Sequence, residues 1–523
     1  MNSVPPPVAA GAKNLAPLLI SLAIAVLVLV PFLGTIPGLN GDEAWAGVRA
    51  HEILGGRRPM VGMTWYAGPV QQYLMAPGLA EFGFRVSTLR LFTVVNSLVF
   101  VILYYSIARR LFDARAAGLS VLCLVTLPAF AAYGRPAYEV FALNPVLAAA
   151  AISLLLHARE RPPLVRSAFW LFAGVCLGLG TWNHLIFLSV PCALLVCACS
   201  SHRFGILWEP SLYFVGYGLA LALAPRLYFE FSGADRMAIR LPGLEGGDFL
   251  GLLFQRLREW PLLLAQMVHG DPAYRRFAGE VKVSLPEPGW FALAGGVVAH
   301  LRKHGPRCGM PGIQVSLFAS SLFFATLFLC PKNSDRYFLL IVYCFPVFVG
   351  LSFSKMLALA AWRRWVAAFL VVYLTAQLGR TGINYFGSQL RSHGRVSAFQ
   401  FGSEPETSNS YIRTDELYNQ LARLGATRIY AEFFIAMPLR FYDLEAKRLL
   451  GVQIVDAPGA ARAVAAANDA SYAVVYSSGL RRVCAEDYAG FEQVAADEHF
   501  IVLRSPGPAL VPPPKQPPAR SSR

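Results

Sequence analysis

Apolar runs of bilayer-spanning length recur through the first 380 residues, and they constrain this chain more than any other feature. They fall at 15–36, 89–108, 116–132, 139–157, 168–183, 186–200, 211–229, 289–301, 313–330, 337–353 and 365–378. A helix needs about 20 apolar residues to cross the hydrocarbon core, so the pattern predicts a mainly α, polytopic membrane helical bundle of about 11 spans. The first run is long and lacks a clean cleavage site, so it is expected to be a retained helix rather than a signal peptide. Only 15% of residues are charged and mean hydropathy is +0.47, which excludes an ordinary soluble protein of this size. The net charge of +15 could suggest nucleic acid. The basic residues, however, sit in short loops between apolar runs, with no basic stripe interleaved with aromatics, so no nucleic-acid partner is expected.

Every second loop is basic: Arg109, Arg110 and Arg115; Arg159, Arg161 and Arg166; Arg203; Arg302, Lys303 and Arg307; Lys355, Arg363 and Arg364. The positive-inside rule then predicts a cell (inner) membrane protein with a cytoplasmic amino terminus. An odd number of spans places everything after residue 380 on the extracytoplasmic face. Three parts are expected: a transmembrane region, 1–380, with outer loops 37–88 and 230–288; a small C-terminal α/β domain on the outer face, 381–505; and a Pro-rich disordered tail, 506–523. Within the first loop, Val70–Phe84 reads as an interfacial helix. In the C-terminal region, Asp415–Leu424 and Gly459–Asn468 read as helical. Arg428–Glu432, Gln453–Val455, Tyr472–Tyr476 and His499–Arg504 read as strands. That region holds a single cysteine, Cys484, so no internal disulfide can staple it. The clustered Cys192, Cys197 and Cys199 lack ligand spacing.

The chemistry-bearing residues fall on the predicted outer loops. Asp42 and Glu43 form an acid pair at the mouth of the first span, where carboxylates are costly to desolvate and need a partner, a cavity or a task. One of them could act as general base on an acceptor hydroxyl. Arg135 and Glu139 stand in the next outer turn, either as site residues or as a salt bridge between helix ends. Lys332 and Arg336 lie on an outer loop against the positive-inside trend, beside Tyr337. Cations held there suit an anionic ligand such as a phosphate. Arg58, Trp65, Tyr66 and His184 complete the candidate binding residues. Trp and Tyr at this depth are also ordinary interfacial residues, and a lone histidine at a helix corner is commonly structural. No nucleotide-binding, serine-hydrolase or metalloprotease motif occurs.

Gly41-Asp-Glu-Ala-Trp45 after the first span, Gly68-Pro69 followed by Tyr73-Leu74, Leu89-Arg90-Leu91, Ala108-Arg109-Arg110-Leu111-Phe112, Gly178-Leu179-Gly180 and Arg336-Tyr337 together resemble the GT-C class of integral-membrane glycosyltransferases. Within that class the similarity is to the protein O-mannosyltransferase and aminoarabinose-transferase group. The resemblance covers roughly the first 200 residues and the 331–346 stretch, and the acid pair is its most specific element. It implies transfer of a sugar from a polyprenyl-phosphate carrier to a lipid, protein or glycan acceptor outside the cytoplasmic membrane. By this resemblance Asp42 is the base or acceptor-orienting group, Glu43 its neighbour and Glu139 the second outer acid. Arg336, helped by Lys332, would neutralise the leaving phosphate. A single displacement at the anomeric carbon implies inversion. The chain departs from the group in having neither His nor Lys beside the Pro corner at Tyr66–Pro69. It also has no DxD motif, so no metal site and no required cofactor are expected, with dependence on a divalent cation left open. Two other readings stay open at this point: a transporter or flippase for lipid-linked sugars, and a non-catalytic envelope-assembly protein.

Overall fold

A computed structural model describes residues 15–64, 66–138, 143–158, 160–202, 210–232, 251, 254–255, 258–259, 310–329, 335–359, 363–391, 414–448, 450–455, 471–476, 491–496 and 500–505. The predicted span 289–301, nearly all of the 230–288 loop, the helix at 459–468 and the tail lie outside the described residues, as do Trp65, Glu139 and Lys332.

The helices are α1 (Ala16–Leu29), α2 (Gly41–Leu54), α3 (Val70–Phe82), α4 (Val86–Leu111), α5 (Ala114–Val125), α6 (Pro128–Tyr133), α7 (Leu143–Ala158), α8 (Pro163–Asn183), α9 (Ser189–His202), α10 (Pro210–Phe231), α11 (Met310–Leu329), α12 (Leu339–Val342), α13 (Phe345–Ala358), α14 (Arg363–Thr381), α15 (Ser388–Arg391), α16 (Thr414–Arg423) and α17 (Phe433–Ala446). Among the described residues, five helical stretches are long and apolar enough to cross a membrane and five more are apolar but shorter. These match ten of the predicted spans in position. Their outward faces carry large apolar side chains such as Leu19, Leu27, Phe172, Tyr217 and Phe231, as a lipid-facing surface requires. The α8 and α10 helices pack through Gly174 and Gly178, whose missing side chains admit the backbone of α10 at Val215 and Leu219.

Two helices differ from expectation. The predicted interfacial helix exists as α3, but it buries Gln71 and Gln72 completely instead of turning them to water. The last span does not stop near residue 380. It runs on through a π turn at Gly382–Gly387 into α15. Its buried face changes from apolar (Val366, Leu370, Tyr373) to polar (Gln377, Arg380, Asn384) without a break in helical spacing.

The C-terminal region is α/β, as its alternating pattern predicts. Its sheet has strands β1 (Arg428–Ala431), β2 (Gly451–Ile454), β3 (Tyr472–Tyr476), β4 (Glu492–Ala496) and β5 (Phe500–Arg504) in the order β2-β1-β3-β5-β4. β1 runs parallel to β2 and to the central β3, and β5 runs antiparallel to β3 and β4. The edge strand β4, of sequence EQVAA, has no apolar alternation and escapes a pattern reading. The α17 helix lies between sheet and bundle. Ile435, Ala436 and Leu439 join the sheet's core, whereas Met437 and Phe441 join a cluster with Trp45, Ala50, Met75 and Leu79.

Candidate active site

The first turn of α2 carries the acid pair. Asn40 caps the helix, its side chain accepting from the Asp42 backbone N–H at 2.8 Å. Both acids follow at once, where the exposed N–H groups and the helix dipole favour negative charge.

The two carboxylates have different surroundings. Glu43 is fully buried and is bound by the fully buried Arg90 through two hydrogen bonds, Nε to Oε1 at 2.8 Å and Nη2 to Oε2 at 2.7 Å. The Ala137 backbone N–H donates to the same Oε1 at 3.0 Å. Arg90 donates further to the carbonyls of Leu33, Pro37 and Gly38. Glu43, placed by sequence among the catalytic acids, is therefore enclosed by protein donors on both oxygens and holds the segment 33–43 in place. Asp42, one residue earlier, is only half-buried.

Arg135 has no opening toward a ligand either, which corrects its placement among the substrate-binding residues. Its guanidinium is buried and donates to the carbonyls of Val28, Leu29, Pro31 and Ile36 at 2.7–3.2 Å. The rings of Tyr385 and Phe386 cover it at 5.7 and 5.1 Å. Burial lowers its pKa from the ordinary guanidinium value, with Tyr385 working in the opposite direction. Carbonyls at the end of α1 have no intrahelical partner, and Arg135 supplies one.

A polar chain links this cluster to the other loops. The Gln71 side chain donates to the Ala137 carbonyl at 2.8 Å, and its backbone N–H donates to the Asn183 side chain at 3.1 Å. Asn183 in turn donates to Asn144 at 2.9 Å. The Gly68 N–H reaches the Asn183 carbonyl at 2.9 Å and the Leu185 N–H reaches the Tyr66 carbonyl at 2.8 Å. A Cβ on Gly68 would overlap the Trp182 carbonyl, so only glycine permits this approach. The first loop and the α8 corner thus form one wall.

That wall presents three of the candidates together. The rings of Tyr66 and His184 lie 5.2 Å apart, and those of His184 and Tyr337 lie 5.8 Å apart. The buried His184 accepts at Nδ1 from the Ile186 N–H at 3.2 Å, which assigns the proton of a neutral ring to Nε2. Tyr337 belongs to the short helical turn Asp335–Phe338, so the backbone of Arg336 is fixed beside this wall. Arg58 is exposed in the first loop, near Tyr73. Burial raises the Tyr73 pKa, and the charges of Arg58 and Arg49 oppose that rise. Among the described residues, no three His, Cys, Asp or Glu side chains come together as a metal site would need.

The family model described as dolichyl-phosphate-mannose-protein mannosyltransferase matches residues 66–229. The crystal structure of ArnT from Cupriavidus metallidurans bound to undecaprenyl phosphate superposes with a TM-score of 0.60 at 14% identity, covering 93% of this chain and 97% of that one. The chain shares the fold of ArnT. The apo form of the same ArnT gives 0.58 over the same shares of both chains. The Archaeoglobus fulgidus oligosaccharyltransferase in complex with zinc and sulfate gives 0.50 at 14% identity, covering 89% of this chain and 68% of that one. No curated protein matches the chain in sequence.

Within this fold several residues act as anchors that the sequence did not single out for that role. Arg90, quoted above only within Leu89-Arg90-Leu91, had a visible signal: an arginine at the second position of the apolar run 89–108, after an acid pair. The buried face Gln377, Arg380, Thr381, Asn384 and Ser388 also had one, a polar stripe at helical spacing. Phe434 and Phe441, which pack on Gly41 and Gly47, had none.

Proposed function

We propose that this chain is a membrane glycosyltransferase that moves a sugar from a polyprenyl-phosphate carrier to a lipid, protein or glycan acceptor. One observation carries the reading. On a GT-C fold, the buried Glu43–Arg90 pair fixes the helix turn that presents Asp42, and the same polar chain extends to the wall of Tyr66, His184 and Tyr337.

Asp42 acts as the base that takes the acceptor's proton or orients its hydroxyl. A polyprenyl phosphate leaves without needing a proton but needs cations to hold its developing charge. Arg336 and Lys332 supply them, and Tyr66 and Tyr337 offer rings to the sugar. Attack opposite the leaving phosphate inverts the anomeric centre in a single displacement. No cofactor is required in this scheme, and transfer measured with and without EDTA decides whether a divalent cation takes part. The site opens on the extracytoplasmic face of the inner membrane, with the sheet domain on that side and the amino terminus in the cytoplasm. Cysteine labelling from either side of intact cells tests this arrangement.

Mass spectrometry of envelope glycans and lipids, with and without the gene, identifies the transferred sugar and its acceptor. Asp42→Asn is expected to lower formation of that product about 10²–10⁴-fold, as loss of a general base does. Undiminished product in Asp42→Asn ends the assignment of Asp42.

A further inference from the structure

The sheet domain reaches the site through α17, and two close contacts define the approach. A Cβ on Gly41 would lie 2.8 Å from Phe434 Cα and 2.7 Å from its ring. A Cβ on Gly47 would overlap the Phe441 ring, which is itself completely buried. The glycines are six residues apart and the phenylalanines seven, so along their helices the contact points are separated by about 9 and 10.5 Å. The spacings match, and the two helices run side by side with both contacts made at once. Two such points fix a helix in translation and in rotation about its axis, where one would leave it free to pivot.

The opposite face of α17 is equally committed. Ile435, Ala436 and Leu439 are locked into the core of the sheet. Phe441 and Met437 face α2 and fill the cluster with Trp45 and Ala50. The helix is a wedge with two apolar faces, one packed on the sheet and the other on α2. The first turn of α2 is gripped on its other side by the Glu43–Arg90 pair. Asp42 stands between the two grips, immediately after Gly41.

We propose that Phe434 and Phe441 are positioning residues, through which the C-terminal domain sets the orientation of the helix that presents Asp42 to the acceptor. This rests on the reading of Asp42 as the base. The domain then serves turnover directly, whatever else it contacts.

The test uses the full-length chain in cells lacking the gene, scored by the envelope species whose mass changes on its loss. Gly47→Ala, Phe441→Leu, their combination and Asp42→Asn are compared, and each purified variant is also tested for undecaprenyl phosphate binding and thermal unfolding. Gly47→Ala is expected to lower product about ten- to a hundredfold, the size of effect that a small misplacement of a reacting group produces. Its affinity for undecaprenyl phosphate should change less than about twofold, since carrier binding is not what the contact controls. The shorter Phe441→Leu side chain should relieve the overlap, so the double variant recovers to within about threefold of the unaltered chain. A helix needed only for folding would instead lose melting temperature and carrier binding together with product. Full product from Gly47→Ala, or a folded double variant no better than Gly47→Ala, overturns the positioning role. Loss of product in Asp42→Asn alongside either of those results leaves the assignment of the base standing, whereas full product in Asp42→Asn removes both. If Gly47→Ala fails to accumulate, Phe441→Leu alone decides: it must lower product at unchanged carrier affinity, or the proposal falls.

Discussion

Two arginine–glutamate pairs of the same chemistry occur in two regions of the molecule. In the bundle, Arg90 grips Glu43 with both side chains at 0% exposure. In the sheet domain, Arg504 grips Glu492 across the β4–β5 ladder through Nε and Nη2, with side chains 45% and 59% exposed. Water solvates the second pair whether or not it forms, so it contributes little. The first pair has no such alternative. Among the described residues, its charges are met by each other, by the Ala137 N–H and by the carbonyls of Leu33, Pro37 and Gly38. An ion pair's contribution is thus set by where its members would go if they parted. The bundle uses such a pair to fix a loop at membrane level, and the sheet domain relies on an apolar core instead.

Breaking the buried pair gives the largest expected effect on stability. Glu43→Gln leaves a buried guanidinium without its carboxylate and should destabilise the protein by about 3–5 kcal/mol, seen as a lowered thermal unfolding midpoint in detergent. Replacing both partners, Glu43→Gln with Arg90→Met, should be milder than Glu43→Gln alone, because no uncompensated charge remains. The adjacent Asp42→Asn should leave the midpoint unchanged while lowering product about 10²–10⁴-fold, which separates two neighbouring acids by readout. If Asp42→Asn melts as early as Glu43→Gln, both carboxylates are structural. Arg135 sharpens the comparison one step lower. It donates to four carbonyls, and a lysine at this position has only three donors. Arg135→Lys should therefore destabilise by about 1–3 kcal/mol, the effect of one buried carbonyl left unsatisfied, measured in the same melts.

The sequence makes the class of fold legible and the division of labour among its polar residues much less so. Long apolar runs mark the chain as a membrane helical bundle, because a bilayer imposes both length and composition on a helix. The alternating pattern after residue 400 likewise announces an α/β unit. The acid pair is conspicuous for a real reason: carboxylates beside a span need compensation. Which of the two is compensated depends on rotation about α2, and that rotation is set by residues 47 and 94 positions away, Arg90 and Ala137. Arg135 misleads for the same reason, since its partners are backbone carbonyls that no side-chain pattern records. Tyr66, His184 and Tyr337 can each be picked out as polar aromatics at span ends, yet their meeting depends on how α8 returns to the first loop. The wedge α17 is the extreme case. Its two apolar faces read as one greasy helix until both of its neighbours are known.

The sheet domain yields the smaller effects. Tyr418 donates to Asp443 at 3.0 Å. Burial, that hydrogen bond and the carboxylate's charge push the Tyr418 hydroxyl up to about 12 from its ordinary 10.0. The folded state therefore keeps a proton that the unfolded chain releases sooner. The stabilisation is fully present below pH 10.0 and is lost as pH rises toward about 12. Over that interval the unfolding midpoint of the unaltered chain should fall more steeply than that of Tyr418→Phe, and equal slopes would detach this hydroxyl from the domain's stability. Smallest of all is Glu492→Gln. The pair lies on the solvent-exposed edge of the sheet, and each member regains water as it loses the other. Its removal should not shift the unfolding midpoint beyond the scatter of the melt, at low salt or high. Environment governs the difference between these two pairs only if this holds, and a loss comparable with that of Glu43→Gln would show that burial does not set their strength.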